Sequence, residues 1–229
     1  MEQQLSAFGG ARATDLIPLG DRGFLARFPS EPAAAAWAAA VRANGWTAVT
    51  DVVLAYQTVG VHVDPDRIDP AELEMKLRFV ETGDDIASSG RSITVPVFYN
   101  GADLGHVADR LGLTTSQVIA DHARRDYQVF AVGFLPGFPY AGYLSRSLAG
   151  LARRESPRAR VPAGSVAIAG RQTGIYPAES PGGWHLLGTT PFRIVDFDRG
   201  HFPIQAGDRI RFMPITADEF EAHRNELLD

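Results

Sequence analysis

Residues 161–191 read VPAGSVAIAGRQTGIYPAESPGGWHLLGTTP, and the reading of this stretch decides the fold. Residues 165–169 are a short apolar run of strand length, and 185–188 form a second. Around them stand Pro162, Gly164, Gly170, Gly174, Pro177, Pro181, Gly182 and Gly183. No helix interior tolerates that spacing, so the stretch is strands joined by tight turns. The pattern extends outward. Residues 93–99 alternate apolar and polar, while 127–134, 192–197 and 209–213 read as further strands, with glycine or proline in almost every gap. Many short strands punctuated in this way predict a β-barrel rather than stacked α/β units. Two short helices, 102–111 and 116–125, interrupt it; Thr114-Thr115-Ser116-Gln117 opens the second, and Thr216 with Glu219 caps a final helix.

The first third of the chain follows another logic. A strand over 24–28 follows the Gly20-Asp21 turn. Ser30 then caps an alanine-rich helix with Glu31 and Pro32 in its first turn and Gly45 beyond its end. Residues 51–56 and 58–63 are β-branched and apolar, as strands are. Asp69-Pro70-Ala71-Glu72 is a capping-box sequence, and the helix it opens puts Leu73, Leu77 and Val80 on one face. Strand–helix–strand–strand–helix predicts a sheet with helices on one side. A polar stretch over 82–91, carrying Gly83, Ser88, Ser89 and Gly90, reads as a linker. The expected organisation is α+β: a small N-terminal α/β sandwich domain over 1–88, then a β-barrel domain over 89–229.

Composition narrows the function. The 229 residues are 45% hydrophobic and 21% charged, ordinary for a globular protein, and the net charge of −5 points away from nucleic acid. With no cysteine there are no disulfides, thiolate ligands or cysteine nucleophile. Residues 1–13 lack the basic start and apolar run of a signal peptide, and no stretch approaches the length of a membrane span. A cytoplasmic protein without membrane contact is the expectation. Of the 22 basic residues 21 are arginine, so an anion bound here meets guanidinium, backbone amides or a partner's lysine.

Several catalytic devices are missing. The lone lysine, Lys76, lies inside a capped helix, so there is no phosphate-binding loop of the Walker type; neither HExxH nor G-x-S-x-G occurs. Ala108, Gly112 and Val118 imitate the spacing of a DNA-binding helix-turn-helix, yet Asp121 and Asp126 lie in or beside the second helix. An ordinary helical hairpin packed on the sheet is the better reading.

The dense chemistry lies between 133 and 191. Residues 133–140, GFLPGFPY, hold three aromatics and two prolines, which neither a helix nor a central strand accommodates; Phe138 and Tyr140 are therefore held by a rigid loop. Residues 153–160, RRESPRAR, carry four arginines, whose mutual repulsion calls for an anion: a carboxylate or phosphate ligand, or an acidic partner surface. Glycines beside Gln172, Thr173, Tyr176 and Trp184 permit close backbone approach to a ligand.

These same runs carry a resemblance. GFLPGFPY (133–140), RRESPRARVPAGSVAIAG (153–170), RQTGIYP (171–177) and SPGGW (180–184) closely resemble the KipI/PxpB family, also described as allophanate hydrolase subunit 1. The same domain forms half of the carboxyltransferase region of urea carboxylase. Looser similarity in GDRGFLARF (20–28), DVVLAYQTVGVHVDP (51–65) and AGDRIRFMPIT (206–216) covers nearly the whole chain. The resemblance implies that the barrel is cyclophilin-like. It also implies the B subunit of an ATP-dependent 5-oxoprolinase, converting 5-oxo-L-proline to L-glutamate in a hetero-oligomer with a C subunit, itself a related barrel, and an A subunit. ATP is then bound with or by the partner subunits, and this chain has no metal site of its own. In that role Arg154, Arg158 and Arg160 bind an anionic group, Gln172 and Thr173 orient the amide, and Phe138, Tyr140 and Tyr176 form the walls. No general base stands out. An allophanate hydrolase-type subunit and a KipI-like inhibitor of a histidine kinase are the alternatives. The chain departs from the family pattern at Thr189, where relatives commonly carry arginine, and at Arg171, where asparagine is common.

Overall fold

In the computed structural model, which describes residues 12–82 and 90–229, the N-terminal strands are β1 (Asp15–Pro18), β2 (Gly23–Arg27), β3 (Val49–Ala55) and β4 (Thr58–Val63). They form an antiparallel sheet in the order β1-β2-β4-β3. Period-two alternation buries Val59, Val61 and Val63 of β4 and leaves His62 exposed. Helix α1 (Glu31–Ala43) buries Ala34, Trp37, Ala38 and Val41, and Trp37 packs its ring 5.3 Å from that of Phe28. The Ser30 hydroxyl accepts from the Ala33 N–H at 3.4 Å, the cap the sequence predicts. Helix α2 (Pro70–Arg78) buries Leu73 and Leu77 as expected. Its capping box is only half made. Asp69 accepts from the Ala71 N–H at 2.7 Å, whereas Glu72 pairs instead with Lys76 at 2.7 Å, one turn on.

The described residues divide into two compact units, 12–82 and 90–229. Seven of the ten residues of the linker expected over 82–91, those at the 88/89 boundary included, lie outside them.

The second unit is built on β5 (Ser92–Val97), β6 (Asp126–Val132), β7 (Pro139–Gly142), β9 (Ser165–Ala169), β10 (Gln172–Ile175), β12 (His185–Thr189) and β13 (Arg209–Pro214). Their order is β12-β9-β10-β7-β6-β13-β5, antiparallel throughout except for the parallel pair β13–β5. Beyond β5, Phe98 pairs back onto Thr189 of β12 through two backbone hydrogen bonds, both 2.9 Å, so the sheet is nearly closed into a barrel. A separate ribbon pairs β8 (Arg158–Val161) with β11 (Ser180–Gly182). Val95, Val129, Val166, Ile168, Ile175, Leu187 and Ile210 form the main core with Phe212.

Helices α3 (Leu104–Leu111) and α4 (Thr115–Ala123) send Val107, Ala108 and Val118 into this core, which makes the helix-turn-helix look-alike a packed hairpin. Gly112 ends α3 at φ 66°, and Thr114 with Gln117 completes a reciprocal capping box. Helix α5 (Ala217–Ala222) is opened by the predicted Thr216–Glu219 box. Among the described residues no helix is long and apolar enough to cross a membrane.

One predicted strand fails. Residues 192–197 bury Ile194 and Val195 but make only isolated bridges, Arg193 to Leu227 and Asp196 to His201, so apolar content there reflects burial without a ladder.

The barrel seam allows no side chain at Gly188. A Cβ there would lie 2.5 Å from the Phe98 carbonyl oxygen, 2.8 Å from Val97 Cγ1 and 2.9 Å from Tyr99 Cα. Gly188→Ala is expected to cost about 2 kcal/mol, the usual range for overpacking a filled site. Urea denaturation measures it, and an unchanged midpoint would show that the seam gives way freely.

Candidate functional site

The predicted aromatics come together. Phe138 lies at the centre of a second buried cluster, with ring centroids 5.0 Å from Tyr140, 5.1 Å from Tyr176 and 5.4 Å from Trp184. Strand β9 explains the arrangement, because both its faces are covered: Val166 and Ile168 face the main core, Ala167 and Ala169 the aromatic cluster. Phe138 and Tyr176 are each 1% exposed, so they hold the loops together from beneath; Tyr140 is half-buried. Burial pushes the Tyr176 phenol up, against the pull of its hydrogen bond with the Trp184 backbone. Phe134, held at φ 69°, exposes its ring and packs its edge on Phe138.

Gln172 is half-buried at the start of β10. Thr173 is fully buried, and its hydroxyl donates to the Ala167 carbonyl at 3.2 Å while lying 2.8 Å from His122 Nε2. With the Thr173 proton so placed, Nε2 carries the ring proton and donates, and Nδ1 accepts from the Tyr99 hydroxyl at 2.7 Å. Burial pushes His122 down to about 3, so the ring is neutral.

The arginines separate into two roles. Arg160 is 81% exposed and stands 3.7 Å from Glu179, a surface pair. Arg154 and Arg158 converge on Asp103, which precedes α3 and is 3% exposed. Its carboxylate makes no cap on its own helix. It accepts two hydrogen bonds from Arg158 at 2.7 and 2.8 Å, one from Arg154 at 3.0 Å and one from the Leu186 N–H at 2.8 Å. Burial alone raises this carboxyl, but the Arg158 hydrogen bond, the Leu186 N–H and the two guanidinium charges outweigh it and hold it below the ordinary aspartate range. The anion that the arginine run called for is thus in large part the protein's own. Asp103 was missed because it lies 51 and 55 residues from its partners, beyond any local pattern.

Beside this clamp opens a cleft of about 550 Å³ between α3 and residues 150–156, with His185 at its floor. Arg110, Arg153 and Arg154 line it with His106, His185 and Glu155. The rings of His106 and His185 stack at 5.9 Å. His185, 5% exposed, lies with Nε2 2.8 Å from the Ala152 carbonyl, to which it donates. Two polar atoms here are buried with no hydrogen-bond partner, Arg154 Nε and His185 Nδ1. Left so, each costs about 1–3 kcal/mol. Among the described residues no three His, Asp or Glu side chains are grouped to hold a metal.

Residues 14–204 match the carboxyltransferase domain family, subdomain C and D. The chain is 38% identical over 159 residues to the 5-oxoprolinase B subunit of Bacillus subtilis (strain 168), covering 67% of this chain and 65% of that protein. It therefore spans just under two thirds of that relative. To the 5-oxoprolinase B subunit of Escherichia coli O157:H7 it is 41% identical over 155 residues, 66% of this chain and 71% of the relative. The crystal structure of TTHA0988 superposes with a TM-score of 0.77 at 39% identity, covering 86% of this chain and 40% of that one. The chain is a member of the carboxyltransferase-domain family, subdomain C and D, as its resemblance to the KipI/PxpB proteins implied.

Proposed function

We propose that this chain is the B subunit of an ATP-dependent 5-oxoprolinase, acting with a C subunit and an A subunit in the cytoplasm to open 5-oxo-L-proline to L-glutamate. The observation that carries this reading is the identity of 38% and 41% to two proteins named as the B subunit of 5-oxoprolinase. A cleft lined by three arginines supports it, because the substrate is an anion. We read the two compact units as two domains and the second as a cyclophilin-like barrel.

We assign no phosphate-binding loop of the Walker type to this chain. The lone lysine is held by Glu72 at 2.7 Å on a helix of the N-terminal unit, away from any glycine-rich turn into a helix. ATP, which would activate the lactam carbonyl carbon toward water by phosphorylating the carbonyl oxygen, is assigned to the partner subunits. This chain's part is to bind and orient the substrate. Arg154, fixed by Asp103, holds the substrate's polar edge; Arg158 keeps Asp103 charged and in place; the Phe138–Tyr140–Tyr176 cluster stiffens the loops around them.

Co-purification with the partner subunits, followed by glutamate release from 5-oxoproline with and without ATP, tests the reading. Release that requires ATP and this chain is expected. A purified assembly that forms no glutamate from 5-oxoproline sinks it.

A further inference from the structure

We infer that Phe134, Phe197 and Phe202 form the centre of the surface on which this chain docks a folded partner subunit, through an apolar face of that partner. The inference rests on the reading of this chain as one subunit of an assembly, and it says where on the chain a partner sits.

The three rings are left in solvent, their residues 61%, 52% and 36% exposed. They stand on two loops that touch. In the first, the Phe138 N–H donates to the Leu135 carbonyl at 3.0 Å and the Gly133 N–H to the Phe138 carbonyl at 3.1 Å, which closes a tight turn with Phe134 at its base. In the second, Asp196 and His201 pair through backbone hydrogen bonds of 3.0 and 2.9 Å, and the rings of Phe197 and Phe202 lie edge to face at 5.9 Å. The loops meet at Gly137, where a Cβ would stand 2.3 Å from Val195 Cγ1 and 3.3 Å from Phe202 Cδ1. Phe134 also keeps φ at 69°, in the left-handed region that a bulky L-residue rarely enters. Glycine would fit there without strain, so a phenylalanine held in that conformation with its ring in water points to a use for the ring.

The three side chains together show about 300 Å² to water, at about 200 Å² for each when whole, which is the size of a functional apolar patch. A standard interface takes about 800 Å² from each partner, so the rings supply its centre. Beside Phe197 and Val195 opens a cleft of about 680 Å³ whose walls include Pro162, Ala163, Pro177 and Phe192. Its charges are paired within the chain: Arg193 with Asp196 at 3.5 Å, Arg224 with Glu221, and Glu179 with Arg160 at 3.7 Å. Asp198 is the one charged residue of the lining without an ion pair among the described residues. With no free cation, this face suits neither an anionic substrate nor an anionic lipid surface. An aromatic centre with its charges paired at the rim is the anatomy of a protein interface. The longer chain of TTHA0988 points the same way. More than half of it lies outside the part that this chain matches, so there the same fold is joined to further protein.

The test measures binding of the purified C and A subunits to this chain by analytical ultracentrifugation, and titrates glutamate release with this chain at fixed C and A subunits. Wild type is expected to bind one of the two directly. Phe134→Gly suits the positive φ while removing the ring, and Phe197→Ser removes a ring that lies in solvent, so neither endangers folding. Each is expected to weaken the complex about tenfold, and the double variant further than either. Glutamate release is expected to reach the parent rate once enough variant chain is added, displaced to higher concentration by the same factor. An unchanged Kd in the double variant overturns the surface and leaves the 5-oxoprolinase reading intact. Binding that the variants weaken, in an assembly whose wild type releases no glutamate, keeps the surface and overturns the reaction. A wild-type chain that binds neither subunit, or that pairs with a second copy of itself through these rings, overturns the surface.

Discussion

Asp103→Ala is expected to lower the melting temperature by roughly 10 °C. The substitution removes the acceptor of four hydrogen bonds at once, from Arg158 twice, Arg154 and Leu186. Breaking a buried ion pair from one side costs about 3–5 kcal/mol, because the partner charge stays behind without compensation. Here the two guanidiniums are 34% and 24% exposed and recover some hydration, which lessens the loss. The Leu186 N–H, left without an acceptor between β9 and α3, adds to it. About 3–5 kcal/mol therefore stands as the net, and each kcal/mol moves the midpoint by about 2–4 °C in a protein of this size.

Asp103→Asn separates charge from shape. It still offers an oxygen to Leu186 or Arg158 and is expected to lose about half as much. The pH dependence has a definite sign. A carboxyl held below its ordinary value contributes fully above the unfolded-state value near 3.9 and loses its contribution as pH falls through the lower folded-state value. Thermal denaturation followed by circular dichroism measures all three. A drop of under 2 °C for the alanine variant would show that the arginines are held equally well by solvent.

What was readable in the chain was local. Ser30, Asp69, Thr114 and Thr216 stand next to the amides they cap, so these helix starts follow from neighbouring residues. The strand of residues 165–169 was readable because both its faces are buried, which leaves a continuous apolar run. Strands β1, β7, β8, β10 and β11 were not read, since proline, glycine or arginine in segments of three or four residues masks them; β8 and β11 pair only with each other. The site divides the same way. GFLPGFPY was read as a rigid loop holding its aromatics; Phe138 centres a buried cluster, but Tyr140 lies on strand β7, whose first residue is Pro139. RRESPRAR announced an anion, but whether that anion is bound or built in depends on a residue on another element. Thr173 was expected to orient an amide; its hydroxyl is tied to His122 and Ala167 inside the barrel, a pairing across 51 residues that no spacing rule foretells.

That internal pairing yields the other large effect, acid lability centred on one ring. His122 is fully buried, stacked 4.5 Å from Phe212, and its two nitrogens are occupied by Tyr99 and Thr173 in a pattern that needs the neutral Nε2–H form. Burial pushes its value down to about 3, while in the unfolded chain it titrates near 6.5. The stability it carries is complete above pH 6.5 and is lost progressively as pH falls toward 3, at about 1.4 kcal/mol per pH unit. Between pH 7.5 and 4.5 that amounts to about 2.7 kcal/mol, a window in which Asp103 stays ionised and contributes no slope. The double variant His122→Leu with Tyr99→Phe removes the titrating ring together with the hydroxyl that would otherwise lose its partner. It is expected to melt at nearly the same temperature at both pH values after the exposed groups' common trend is subtracted, while the parent chain falls by roughly 5–10 °C. Nitrogen-15 shifts of the His122 ring give the direct check. They should report the neutral Nε2–H form throughout this range, and a midpoint near 6.5 in the folded protein would mean that the ring reaches solvent and that the network does not hold it.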